Sequence, residues 1–394
     1  MSRLHIYDRR ERALVASADL LLGITAGLVR PFRQRRPPAA PRRILLLRLE
    51  RIGDLLMVLP AIADVRAAAP AAEIDLVVGS WNADIARALE PVTRIQTLDA
   101  RWLAREGEGL GMPALSRAAR QWTAAGYDLA LNFEPDVRSN ILVAASGAAW
   151  TAGYRSGGGG ALLDVALEYD TRAHTTDNAR RLVATVLGRT HSVDEPHPFV
   201  VPTEARQNAI RRLGSAARPL IGLHVSGGRP IKQWDPERFA DVARRLVSDA
   251  DATIVLTGSA ADRPLVELVT ERLPRARIID VAGRIDLLTL AGILERLDLL
   301  ITGDTGPMHL AAAVDTPVVA VFGPSDPARY GPRGRYDRVV RVDLPCAPCN
   351  RIRLPPQRCV GHIPDCLALV SADRVFAAAR SVLDAAARTH TPTA

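Results

Sequence analysis

Aromatic residues make up only 4% of this 394-residue chain, so Ala, Leu and Val must carry most of the packing. That shortage argues against a β-sandwich and for helix-rich α/β layers. Lysine is almost missing: Lys232 is the single one, and the other fifty basic residues are arginine. A lone ammonium in such a background marks a position where a compact positive charge is useful. No Walker A motif, H-E-x-x-H or G-x-S-x-G occurs, and Gly157–Gly160 lacks the strand-to-helix G-x-G-x-x-G context of a dinucleotide fingerprint. Residues 13–29 form the one notable N-terminal apolar stretch. It has 17 residues and contains Asp19, marginal for a membrane span of ~20 apolar residues. No clean small-residue cleavage site follows it, which disfavours a signal peptide.

What is present points to two domains. The length suits two, and 48% apolar residues suffice for two cores. The net charge of +8 is concentrated: residues 1–43 hold ten arginines against three acids, leaving the remainder close to neutral. A nucleic-acid-binding protein usually spreads its basic face over the folded body. Here the excess charge belongs to an N-terminal extension, residues 1–42. Within it, residues 1–36 fit an anionic membrane surface, with an interfacial helix pinned by arginines.

The body opens at Arg43–Leu49 (RILLLRL), a run expected of a strand covered on both faces. Glu50–Gly53 makes a turn into a helix ending near Ala68. Further strands are expected at Ile74–Val78, Arg94–Leu98 and Asp128–Phe133. Strands alternating with helices imply right-handed βαβ units and a parallel sheet. The pattern restarts near residue 219, with strands at Leu220–Val225, Thr253–Thr257, Ile278–Val281, Leu297–Thr302 and Pro317–Phe322. The reading is a domain over 43–205, a second over 206–370, a joint near 195–215, and a final helix and tail over 371–394 with Ser371 as N-cap.

Four segments carry candidate chemistry. In ITGDTGPMHLAAA, a strand ends at Gly303–Asp304–Thr305–Gly306 and a helix starts at Pro307. Its first amides have no internal partners and offer a phosphate cradle, with His309 on the first turn. In LRLERIGDL, Asp54 sits at the carboxyl edge of the first strand, as either a helix cap or a general base. In VSGGRPIKQW, Ser226, Gly227 and Gly228 form a loop after a strand and Lys232 follows, suited to a phosphate oxygen. The fourth is the C-x2-C-x9-C-x6-C cluster of Cys346, Cys349, Cys359 and Cys366, with His362 among them. It leaves structural zinc, disulfides and reduced thiols open. Asp249 and Asp251 make a D-x-D at a helix-to-strand connection and read as solvated.

In this order, RILLLRLERIGDLLMVLPAIADVRAAAP, GLHVSGGRPIKQWDPERFADVARRL, VLTGSAADR and ITGDTGPMHLAAAVDTPVVAVFGPSDPARYGP resemble glycosyltransferase family 9, the heptosyltransferases. The resemblance covers roughly residues 43–385, and the N-terminal extension has no counterpart in it. It implies a GT-B fold, two Rossmann-like domains facing a central cleft, and inverting transfer that needs no metal cofactor. It implies a nucleotide-diphosphate sugar donor, ADP-heptose above all, and an anionic glycolipid acceptor such as the lipopolysaccharide inner core. It places Asp54 as catalytic base, and Lys232, Asp262, Asp304, Thr305, Gly306 and His309 around the donor; Ser226 and Gly227, in the loop before Lys232, are donor-binding candidates from their position. Arg51 and Arg138 are assigned to the acceptor, with Arg48 and Arg155 as further candidates for an acidic group. The expected location is cytoplasmic, peripheral on the inner face of the membrane. A nucleotide-sugar epimerase on the same fold and a non-catalytic nucleotide-sugar-binding protein are the alternatives.

Overall fold

The computed structural model describes residues 4, 9–29, 38–103, 109–188 and 199–389. The chain divides into two compact units after Val200. The first contains α1 (Arg9–Val29), β1 (Arg43–Arg48), α2 (Ile52–Ala68), β2 (Glu73–Val78), α3 (Ala83–Arg87) and β3 (Arg94–Thr97). It continues with α4 (Met112–Gln121), β4 (Leu129–Asn132), α5 (Val137–Ala145), β5 (Trp150–Tyr154), β6 (Val165–Leu167) and α6 (Thr175–Leu187). The second contains α7 (Thr203–Leu213), β7 (Leu220–His224), α8 (Pro236–Ala250), β8 (Thr253–Thr257), α9 (Arg263–Thr270) and β9 (Ile278–Asp280). After these come α10 (Leu287–Leu294), β10 (Leu299–Gly303), α11 (Gly306–Ala313), β11 (Val318–Val321), α12 (Pro327–Tyr330), β12 (Arg338–Val340), α13 (Asp365–Ala368) and α14 (Ala372–Thr389).

Each unit is built on a six-stranded parallel sheet. The orders are β3-β2-β1-β4-β5-β6 and β12-β11-β10-β7-β8-β9. Renumbered within its own unit, the second order is the same doubly wound one. Each sheet therefore reverses direction once, between β1 and β4 and between β7 and β10. Those switch points are where open α/β sheets bind ligands, outside the carboxyl ends of the strands.

The local sequence explains the elements. After its first residue β1 is buried along its whole length, as a strand under helices on both faces must be. In α8, Asp235 accepts a hydrogen bond from the Glu237 amide, and Pro236 fills the first turn. Its buried Phe239, Ala240, Val242, Ala243 and Leu246 repeat at helical spacing. The helix stops where Asp251 takes a left-handed backbone conformation, φ 51°; its carboxylate meets Arg277 at the surface and is 75% exposed, a solvated D-x-D member as expected. In the first unit α2 packs on α6, tied by Arg180 Nε donating to the buried Asp64 at 2.8 Å.

The division after Val200 lies five residues before the expected boundary. The stretch expected to join the halves contains α7, a helix packed on α10 of the second unit. The tail helix α14 also packs within the second unit, on α8 and β10–β12. Ser371 caps it, accepting from the Arg374 amide at 3.4 Å. Strands β5, β6 and β12 were not anticipated.

The N-terminal helix α1 is docked on the first unit. Asp19 Oδ1 accepts from the Gly159 amide at 2.6 Å, in the glycine run read as a loop. Gly158 has φ +93°, and a Cβ there would lie 2.6 Å from Val15. Arg10, Ala13, Leu14, Ser17 and Leu21 are exposed, at the spacing of one helix face. Leu14 and Leu21 are 73% and 65% exposed. No helix among the described residues is long and apolar enough to cross a membrane. Residues 30–37 of the linker lie outside the described residues.

Candidate functional site

The switch point of the first unit is an acidic cluster around one buried cation. Asp54 is the third residue of α2, and its Oδ2 accepts from the Arg51 amide at 3.2 Å. It therefore closes the first turn from inside the helix, and its side chain stays 28% exposed. Arg48 ends β1 and is buried. Its Nη2 lies 3.4 Å from Asp54 Oδ1 and its Nη1 lies 3.0 Å from Glu50 Oε2. Glu134 follows β4 and accepts from the amides of Leu49 and Glu50. Burial pushes its carboxyl up to about 6, against the pull of Arg48.

The arginines expected to meet an acceptor are already engaged. Arg138 grips Asp136 with two contacts, 2.9 and 2.6 Å, and stacks 4.6 Å over Trp102. Arg51 lies 5.7 Å over the Trp81 ring. Arg155 donates to Glu168 at 2.7 Å. Arg48 is no surface arginine at all. Glu134 was missed because an isolated glutamate has no motif. The usable signal was a carboxylate two residues past an apolar strand at the switch edge.

In the second unit Lys232 Nζ donates to the Asp304 carbonyl and lies 3.0 Å from Asp304 Oδ2. Asp304 is largely buried, which raises its pKa, but Lys232, Ser325 and His309 together outweigh that and hold the carboxyl below its ordinary range. Thr305 precedes α11 without capping it by its side chain; its hydroxyl instead shares a hydrogen bond with Thr302 at 3.1 Å. The amides opening α11 at Gly306 keep their outward direction, and His309 is buried one turn on. Gly227 is required: a Cβ there would come within 2.6 Å of the Lys232 main chain. The Gly227 amide donates to Gln233 Oε1 at 2.8 Å, so the loop folds back on itself. Ser226 is buried and its Oγ accepts from the Gly228 amide at 3.2 Å. Asp262 follows β8, one strand over, and accepts from the Ser259 amide and hydroxyl, both at 2.7 Å. Burial raises Asp262, but Ser226 and Ser259 outweigh it and hold the carboxyl low. His224 between them is pushed down to about 4 by burial, against the pull of Asp262. The structure thus joins Lys232 with Asp304, and Ser226 with Asp262, on neighbouring strand ends.

The four cysteines are free thiols lining one cavity of about 30 Å³, whose wall includes Ile231 beside Lys232. Burial, then the neighbouring Cys349, Cys359 and Cys346, push Cys366 up to about 11. His362 is not in that lining. Among the described residues no three His, Cys, Asp or Glu side chains are arranged to hold a metal.

Two doubly wound parallel units, with these turns at their switch points, define a GT-B-type α/β fold. Solved structures share it: a glycosyl transferase family 9 protein from Veillonella parvula superposes with a TM-score of 0.73 at 24% identity, covering 89% of this chain and all of that one. The ADP-heptose LPS heptosyltransferase II of E. coli gives 0.70 at 20% identity, covering 87% and 99%. The glycosyltransferase family 9 (heptosyltransferase) profile matches residues 115–357, more than half of the chain. The chain belongs to that family and is a glycosyltransferase, which sets aside the epimerase and the non-catalytic binder. Among curated relatives, lipopolysaccharide heptosyltransferase 1 of Pseudomonas aeruginosa is 26% identical over 322 residues, 78% of this chain and 86% of the relative.

Proposed function

We propose that this enzyme moves heptose from ADP-heptose onto a lipopolysaccharide inner-core or related glycolipid acceptor, inverting the anomeric carbon without a metal cofactor. The observation that carries this reading is the pairing of Lys232 with Asp304 beside the Gly306 helix start, in a chain of this family. An ammonium has three donors, and Asp304 takes two through its carbonyl and carboxylate. The third is left for a diphosphate oxygen. The amides opening α11 add a second anion-binding element. Both would stabilise charge growing on the departing diphosphate. Asp54 takes the proton from the acceptor hydroxyl as that oxygen attacks the anomeric carbon. One bond forms to the sugar, one breaks to the diphosphate, and the proton ends on Asp54. The names of the relatives, lipopolysaccharide and ADP-heptose heptosyltransferases, supply the donor and acceptor classes. Any metal held by Cys346, Cys349, Cys359 and Cys366 would be structural zinc, outside the reaction.

The same reading places the enzyme peripherally on the inner face of the cytoplasmic membrane. Leu14 and Leu21 point outward on α1, on one face with the exposed Arg10, as an interfacial helix on anionic lipid requires. Deleting residues 1–42 should release the protein from anionic vesicles in a sedimentation assay, and undiminished binding would retire the membrane contact.

The donor test is calorimetric titration with ADP, UDP, GDP and dTDP in EDTA, on wild type and Lys232→Ala. ADP should bind best, and the variant should lose about 10- to 100-fold in affinity, the worth of a hydrogen bond to a charged group. Preference for another nucleotide would discard ADP-heptose. Binding that EDTA abolishes would overturn the metal-free mechanism.

A further inference from the structure

Arg48 is only 2% exposed. Burying a guanidinium costs several kcal/mol unless close partners offset it. The partners come from three segments. Nη1 donates to the Phe133 carbonyl at 2.6 Å, and Nε donates to the Asp54 carbonyl at 3.2 Å. The carboxylates of Glu50 and Asp54 close on the other edge. Glu134, buried on the far side, holds the Leu49–Glu50 turn through its amides. Tyr169 also faces Arg48, and Asp136 faces Glu134. Arg51 offers its amide to Asp54, while its side chain lies over Trp81. Burial lowers the proton affinity of Arg48, but Glu50, Asp54 and Glu134 outweigh it and raise it overall.

We infer that Arg48 is a positioning residue for the transfer step: one guanidinium fixes the direction of the Asp54 carboxylate and supplies the counter-charge that seats it between two further acids. The inference rests on Asp54 acting as the base. Arg48 touches both the main chain and the side chain of Asp54, so it sets where the helix start lies and where the carboxylate points. A lysine has no planar fork with which to do both. Without the cation, Glu50, Asp54 and Glu134 would repel one another. Proton uptake somewhere in the cluster would relieve that repulsion, so the cluster without its cation works less well at low pH than at high.

The test is steady-state transfer by the full chain from pH 5 to 9, with ADP-heptose and a heptose-deficient lipopolysaccharide acceptor. The variants are Arg48→Met, Arg48→Lys and Asp54→Asn. Arg48→Met should lower kcat about 100-fold at pH 7, within the range of acid–base catalysis. The acidic limb of its pH profile should move up by about one unit or more, so the loss is largest at pH 5 and shrinks as pH rises. The donor KM and ADP affinity should stay within about twofold, and Arg48→Lys should regain about tenfold in kcat. A loss of equal size at every pH, with the acidic limb unmoved, would overturn the inference and leave Arg48 a packing residue. Should Arg48→Met fail to fold, the limb of Arg48→Lys decides in the same way. Asp54→Asn separates the two claims. If it keeps wild-type kcat, the base assignment falls and this inference with it; if it is inactive while the Arg48 variants show no pH shift, only this inference falls.

Discussion

The two units share one strand order and put opposite chemistry at the same topological place. At the β1/β4 switch point a buried arginine is ringed by Glu50, Asp54 and Glu134, so acids outnumber the cation. At the β7/β10 switch point a lysine meets one largely buried aspartate beside the helix start of α11, with Gly303, Thr305 and His309 around them. The first arrangement suits accepting a proton. The second suits holding an anion. A repeated scaffold therefore positions ligands, while the few residues after each strand decide what is done to them.

The sharpest way to break this contrast is Asp54→Asn. Its kcat should fall about 10³-fold, within the usual range for loss of a general base, with ADP affinity unchanged within about twofold. A matching loss of ADP affinity in calorimetry would mean that the acidic cluster also serves the donor. Gly227→Ala probes the other side. The added carbon must displace the Lys232 main chain, a crowding that costs about 1–3 kcal/mol. ADP should bind about tenfold more weakly, with the pH profile of transfer unmoved. A shifted pH limb would join two functions that the fold keeps on separate units.

The remaining effect is on stability. Glu134 titrates at about 6 in the folded protein, above its ordinary value. The folded state therefore binds this proton more tightly than the unfolded one, and stability falls as pH rises from the ordinary carboxylate range through about 6. The expected drop is on the order of 2 kcal/mol, read from denaturation midpoints across that window. Glu134→Gln should flatten it, and an unchanged slope would move the titration to another group.

Most of the sheet was legible because a parallel strand covered on both faces writes itself as an aliphatic run: RILLLR in β1, LIGLH in β7, TIVLT in β8. The misses have physical causes. Strand β5, WTAGY, is buried but carries aromatic and small residues in place of that run. Strands β6 and β12 are three-residue edges, only partly covered. Asp54, Lys232 and the Asp304–His309 turn were legible because each lies just past a readable strand. Arg48 was a candidate for an acidic acceptor group but is buried against Glu50 and Asp54; nothing local tells a strand-ending arginine in solvent from one buried beneath a helix start.

Local chemistry alone determined where strands end, where helices start, and which residue types wait at those edges, because period, capping and chain stiffness act over a few residues. Only the tertiary structure decided which edges adjoin. It set Glu134 against the Leu49–Glu50 turn and Asp304 against Lys232, across 85 and 72 residues of chain. Strand order rests on burial that no short segment can achieve by itself, and a carboxylate's partner follows from that order.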